Sequence, residues 1–297
     1  MAQSLAVASP AANVHPLPAN DDQDPAPRFV EADLRFLSHA AQTPVSDDSS
    51  GEVVRYGDYV DAAVQIHDAR ALVPAPTLDR QGFALVRPDV AAPVHKEAAY
   101  IEANYYIDVE RQIRIATGAD RVIAFDHNLR SGDDKRRQAL DLSQPVRMAH
   151  NDYTDSSGLV RARQVLEAEG LPEAEVERLL AGRVAQINLW RPLKPVRSAP
   201  LALADARSVD SEDLVATKLI STNRTGEIYH LAKAPGQLWY SFPDMTPEEG
   251  LLIKGYDSAL DGRARFSPHT AYDDPRSPAD APPRESIEVR TFAFFAD

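Results

Sequence analysis

The sequence predicts a mainly β protein with flanking helices, its strands forming a sandwich or barrel-like pair of sheets. Three observations carry this. The C-terminal half breaks into short β-rich runs at residues 184–190, 201–204, 218–220, 227–231, 237–242, 251–256 and 286–295, separated by Pro, Gly, Asp and Asn. Helices fall in the first half and strands in the second, as in one β core buttressed by N-terminal helices. No internal repeat is present, so the strands build one core rather than a stacked array.

Taken in order, residues 1–27 are rich in Ala, Pro, Asn and Asp without periodicity and read as a disordered tail. Residues 32–37 are short and apolar-patterned, 42–51 form a polar loop, and 53–65 read as a strand or a bend. Pro and Gly punctuate 74–83, ahead of a buried strand over 83–86. From 97 to 117, Ala98, Ile101, Tyr105, Val109 and Ile113 recur near helical spacing, which predicts an amphipathic helix. The run 121–125 is a strand ending in Asp126-His127-Asn128, followed by a charged loop over 131–137 and a strand over 145–149. Residues 159–166 and 172–180 read as helices, the second opened by Pro172 and early Glu.

The 297 residues are 43% hydrophobic and carry a net charge of -13, enough apolar matter for a sizeable core and too little clustered base for nucleic acid or anionic membrane. Lys135-Arg136-Arg137, the densest basic run, reads as a solvated turn. The absence of cysteine excludes disulfides, thiolate metal sites and a cysteine nucleophile. No stretch reaches the roughly 18–20 apolar residues of a membrane span, and no signal-peptide pattern opens the chain, so a cytoplasmic location is expected.

Chemistry is carried by histidine. Two histidines and one carboxylate can hold iron and leave positions open for oxygen and an organic ligand. Residues two apart on an extended chain project to one face, so His150-Asn151-Asp152 can offer two ligands to one metal. Asp126-His127 and His67-Asp68 lack the intervening residue and point to opposite faces. Downstream, Pro268-His269-Thr270-Ala271 supplies a second histidine, and Arg284-Glu285-Ser286 opens the last strand. A guanidinium makes a planar, two-point contact with a carboxylate, and Ser286 on the same face adds a hydroxyl. Arg290 shares that parity and is the reserve candidate.

The order His-x-Asp, His, Arg-x-Ser resembles that of iron(II)/2-oxoglutarate oxygenases. The segments at 187–193, 200–202, 205–208 and 257–258, together with Pro268-His269-Thr270-Ala271 and Pro282-Pro283-Arg284-Glu285-Ser286, resemble the gibberellin-desaturase and cephalosporin 7α-methoxylase accessory-chain group over roughly residues 50–297. The resemblance implies a double-stranded β-helix (jelly-roll, cupin-like) core in a single domain over 28–297. It implies iron(II) on His150, Asp152 and His269, 2-oxoglutarate held by Arg284 and Ser286 or by Arg290, O2 as oxidant, and ascorbate as an in vitro support. The expected activity is hydroxylation, desaturation or cyclisation of a small-molecule natural-product intermediate, with a homodimer as the expected assembly. The alternative it leaves open is a non-catalytic accessory subunit of a biosynthetic complex.

Overall fold

The computed structural model describes residues 29–38, 44–47, 54–93, 97–140, 142–221 and 224–296. The tail 1–27 lies outside the described residues, as does most of the loop expected at 42–51. The first strands are β1 (Phe29–Leu37), β2 (Val45–Asp47), β3 (Val54–Tyr56), β4 (Tyr59–Asp68) and β5 (Phe83–Val86). Helices α1 (Ala98–Tyr100) and α2 (Tyr106–Thr117), joined by a π-helical turn, lead into β6 (Arg121–Ser131). Next come α3 (Asp134–Leu140), β7 (His150–Asn151), α4 (Asp155–Ala168) and α5 (Glu173–Ala181). The rest is strand: β8 (Arg183–Pro192), β9 (Leu201–Ala204), β10 (Leu214–Ser221), β11 (Arg224–Leu231), β12 (Trp239–Ser241), β13 (Gly250–Asp257), β14 (His269–Ala271) and β15 (Glu285–Phe295).

Among the described residues the strands form a five-stranded sheet, β5-β13-β8-β15-β6, and a ten-stranded one, β1-β4-β12-β9-β14-β7-β11-β10-β2-β3. From β6 to β9 and again from β12 to β15, successive strands alternate between the sheets. That alternation is the winding of a double-stranded β-helix, and the jelly-roll core is as expected. Strand β8 is buried on both faces along nearly its whole length, which is why it reads as a run without polar alternation of the usual kind. Its outward residues Ala185, Ile187 and Leu189 meet Ile287, Val289 and Ala293 of β15, and α2 covers both with Val109 and Ile113. Helices α4 and α5 close another flank, packing Ala162, Val165, Leu166 and Val176 onto Phe292 and Phe294. Each buried Val, Leu, Ile or Phe among them contributes about 1.5–3 kcal/mol.

Three local expectations change. The strand placed at 145–149 is irregular backbone, and the strand proper is only His150–Asn151, held between β11 and β14. The charged stretch read as a loop at 131–137 ends β6 and then turns helical, so Lys135-Arg136-Arg137 lies on α3, with Arg137 paired to Asp134 and Arg136 to Glu285. The described part of 42–51 contains β2, which pairs with β10 and β3.

Two bulges matter for the site. On β6, Arg290 faces Asp126 and Thr291 faces Ala124, so Phe125 is the extra residue; its ring stacks on Phe292 at 5.1 Å. On β13, Lys254 faces Ile187 and Tyr256 faces Gln186, so Gly255 is extra. A Cβ at Gly255 would run into Gln186 Oε1, so any larger residue must displace that buried amide.

Candidate metal centre

Strands β7 and β14 are neighbours, and their register sets His269 opposite His150. The two imidazole centroids are 4.6 Å apart. With Asp152 they form a cluster whose ligand atoms all lie within 4.8 Å of one another. The three residues expected from spacing therefore meet, although 117 positions separate Asp152 from His269.

Each histidine is oriented the same way. His150 Nδ1 lies 2.7 Å from the Met148 carbonyl, and His269 Nδ1 lies 3.1 Å from that of Ser267. A carbonyl can only accept, so both Nδ1 atoms carry the proton and both Nε2 atoms are bare toward the cluster. Burial, and then the neighbouring His269, push the His150 imidazole down to about 3, so it is neutral at physiological pH, as a ligand must be.

Asp152 is held by a cross-strand pair. Asn188 on β8 and Arg290 on β15 are register partners, and both reach Asp152 Oδ2, from Nδ2 at 2.7 Å and Nε at 3.3 Å. That leaves Oδ1 turned to His150 Nε2 at 3.6 Å. Burial opposes the charge on this carboxylate, but Arg290, with the hydrogen bond from Asn188, outweighs it and holds its ionisation well below the usual carboxylate range. Asp152 does not cap the following helix; Thr154 does, in a capping box with Ser157.

Asn151, the middle residue of the triplet, is fully buried and sets the segment's place. Its amide donates to the carbonyls of Tyr153 and Gly255 at 2.7 Å each, and its oxygen accepts from Ser267 N at 3.1 Å. One side chain thus ties β7 to the β13 bulge and to the turn before His269. Neither Asn151 nor Asn188 is legible from motif spacing. The one available signal was Gln186 and Asn188 alternating within the apolar run of β8, two amides on one face of a strand with no other reason to be polar.

Arg284 and Ser286 lie further along the inner face of β15. Both are buried, at 2% and 1% exposure. Arg284 donates from one terminal nitrogen to the Ala199 carbonyl at 2.6 Å and lies over the Trp190 ring at 5.5 Å. Among the described residues its Nε and the Ser286 hydroxyl have no hydrogen-bond partner. Burial and the like charge of Arg130 pull its ionisation down, with Glu288 partly opposing. Buried donors left over beside two guanidinium groups fit a missing anion, since an unpaired buried polar group is costly. Arg290 is in the opposite condition: Asp126 at 2.9 Å, Asp152 and Glu288 at 3.4 Å surround it. Two bare imidazole nitrogens, one free carboxylate oxygen and this anion-ready pair form a donor set suited to iron(II) and a dicarboxylate.

Other candidates fall away. Asp126 faces inward to Arg290, whereas His127 faces outward and meets the Tyr106 hydroxyl at 2.8 Å. His230 is buried against Tyr59. Trp190 is core, and Arg191 is spent on the carbonyls of Val90 and Pro247.

Comparison with known proteins agrees with this geometry. The profile described as an oxidoreductase/YMDC permease-like domain matches residues 34–294. A hydroxylase/desaturase, efuI of Hormonema carpetanum, is 33% identical across 90% of this chain and 96% of its own length. The Fe(II)/2-oxoglutarate-dependent dioxygenase nvfI of Aspergillus novofumigatus is 29% identical over 78% of this chain and 82% of its own. A solved structure of the iron and alpha-ketoglutarate-dependent endoperoxidase NvfI superposes with a TM-score of 0.78 at 25% identity, covering 92% of this chain and 99% of that one. The chain belongs to this family of iron(II)/2-oxoglutarate-dependent dioxygenases. In the dioxygenase no helix among the described residues is long and apolar enough to cross a membrane.

Proposed function

We propose that His150, Asp152 and His269 hold the iron of this dioxygenase, that Arg284 with Ser286 clamps the far carboxylate of 2-oxoglutarate, and that the enzyme hydroxylates, desaturates or cyclises a small-molecule natural-product intermediate. The observation that carries the reading is the cluster of three ligand atoms within 4.8 Å, each with its other polar atom already engaged. When bound, iron(II) with 2-oxoglutarate and O2 supplies the oxidation of a substrate C–H bond. The chain does the rest. Met148 and Ser267 carbonyls fix both imidazole tautomers. Asn188 and Arg290 aim the free oxygen of Asp152 and keep it ionised. Arg290, surrounded by carboxylates, is a positioning residue; Arg284, with donors to spare, suits the clamp. The closed layer of Trp190, Leu203, Leu251 and Ile253 excludes water behind the site.

Names of relatives support the substrate class: they include hydroxylase/desaturases and an aspirochlorine biosynthesis protein. The narrower likeness to the gibberellin-desaturase and cephalosporin 7α-methoxylase accessory-chain group rests on the two segments around His269 and Arg284, and residues 28–297 are read with it as one domain. Ascorbate is expected to sustain turnover in vitro. The accessory-subunit alternative gains nothing from a site in which every donor is oriented.

The test is anaerobic titration with iron(II) and 2-oxoglutarate. A weak visible charge-transfer band is expected in the native chain and its loss in His150→Ala and His269→Ala. A band that survives both changes excludes this ligand set.

A further inference from the structure

At the edge of the five-stranded sheet, β6 lies beside β15, and the two strands share one inner face. Asp126, Asn128 and Arg130 alternate along β6 and stand in register with Arg290, Glu288 and Ser286. Side chains opposite one another on an antiparallel pair project to the same side, their Cβ atoms about 4.5–5.5 Å apart. Asp126 shows which side this is, since its carboxylate takes Arg290 at 2.9 Å. By the same alternation Arg130 stands beside Ser286 on the inner face. The Gly132 N–H donates to the Arg284 carbonyl at 2.8 Å, which holds this end of β6 against the Arg284–Ser286 pair.

Arg130 is underused where it stands. One terminal nitrogen donates to the Gln144 carbonyl at 2.8 Å, and among the described residues the guanidinium makes no other hydrogen bond and no ion pair. Its condition is that of Arg284: burial pulls its ionisation down, and Glu288 partly opposes. The charges on this inner face then divide. Arg290 is answered by Asp126 and Asp152, and the surplus acid there faces the candidate metal. Arg130 and Arg284 share only Glu288, whose own ion pair is with Arg290 at 3.4 Å. A positive charge is left over beside the unpartnered Arg284 Nε and Ser286 hydroxyl. An uncompensated buried charge is costly, so the arrangement suits one further carboxylate. Arg130 differs from Arg284 in being only partly buried, so it retains contact with solvent.

We propose that Arg130 is a second arm of the 2-oxoglutarate clamp, reaching the far carboxylate from β6 while Arg284 and Ser286 hold it from the start of β15. The proposal rests on the ligand set proposed above and adds a residue to it. A carboxylate offers two oxygens with room for several N–H donors, and charge-assisted bonds from two strands fix its direction as well as its distance. The bond to Gln144 occupies one terminal nitrogen and leaves the rest of the planar fork for the anion. The geometry thus shares one task between two arginines: Arg284 is the sealed arm and Arg130 the arm that an arriving anion meets from solvent.

The experiment compares equilibrium binding of 2-oxoglutarate and 2-oxopentanoate by calorimetry on the full chain loaded anaerobically with iron(II). The second probe keeps the chelating end and the carbon count but lacks the far carboxylate. The native chain is expected to prefer 2-oxoglutarate about a hundredfold, and Arg130→Gln to cut that preference about tenfold by weakening 2-oxoglutarate alone. Affinities for 2-oxopentanoate and iron(II) are expected to stay within about twofold, a result that a merely structural role would not give. Arg130→Lys keeps the charge without the fork and serves where Arg130→Gln does not fold. It is expected to lose less, again for 2-oxoglutarate alone. Binding of 2-oxoglutarate unmoved by Arg130→Gln, or a loss shared equally by both probes, overturns the proposal. The native chain, measured first, separates the two failures. A preference that survives Arg130→Gln rejects the Arg130 assignment alone, and no preference in the native chain rejects the clamp beneath it.

Discussion

Arg284, immediately before β15, and Arg290, within it, lie six residues apart and point to the same inner face, yet they live in opposite surroundings. Arg290 is enclosed by Asp126, Asp152 and Glu288, and these charges outweigh burial and hold its ionisation well above the ordinary arginine value. Arg284 is more deeply buried, but its neighbours are a carbonyl, an indole and another arginine, and its ionisation moves down. A buried charge without a counter-charge is expensive, and a protein keeps one where a ligand will complete it. The same residue type thus serves as fixed structure within β15 and is proposed as an anion receptor just ahead of it. The proposed metal ligand Asp152 belongs with Arg290, and the co-substrate's carboxylate is proposed for Arg284.

The comparison breaks most severely at the ligands themselves. His269→Ala leaves the β7–β14 pair with one imidazole, and iron binding and succinate release are expected to fall to background, measured by metal analysis and product assay. The next largest effect separates the two arginines. Arg284→Gln is expected to raise the Kd for 2-oxoglutarate by 2–4 kcal/mol, about 30-fold to 1,000-fold, with iron affinity little changed. Arg290→Gln is expected to do the reverse, lowering iron affinity about 10- to 100-fold through a misdirected Asp152, as second contacts to metal ligands do. If both variants act alike on iron and on 2-oxoglutarate, the division of labour along β15 is wrong.

How much of this could be read from the sequence follows the same division. Strand β9 matched its expected limits, and β8, β13 and β15 lay within a few residues, because continuous apolar runs bounded by Pro, Gly and Asp mark doubly buried strands. Strand β7 was misplaced: Pro145, Met148 and Ala149 are buried without forming a ladder, Ala149 in the core shared with β1 and β4, and burial rather than pairing shaped their pattern. The meeting of His150, Asp152 and His269 was legible because the pattern sought, His-x-Asp with a distant His, fixes residue type and spacing together. Asn151, Asn188 and Gly255 were not, since each acts through a contact from a distant strand that no local pattern encodes.

A smaller prediction sharpens the contrast between charged and neutral interiors. His230 on β11 is paired in register with His150 and is buried without a carboxylate partner. Burial, and then the nearby Arg55, push its imidazole down to about 4. Its folded-state value is depressed, so the stability it permits is complete above the unfolded value near 6.5 and is lost as pH falls toward 4. The loss is at most about 3 kcal/mol. Thermal unfolding is expected to show a fall in Tm between pH 7 and pH 4, and a shallower fall in His230→Gln. Equal slopes would assign the acid sensitivity elsewhere.

The central claim is that two imidazoles and one carboxylate, brought together by β7 and β14, form the iron site. X-ray absorption at the iron edge of the anaerobic iron(II)–2-oxoglutarate complex tests it most directly. Two histidine scatterers with otherwise oxygen donors are expected, reduced to one histidine in any residual complex of His269→Ala. A spectrum that retains two imidazoles in that variant, or shows none in the native chain, would contradict it.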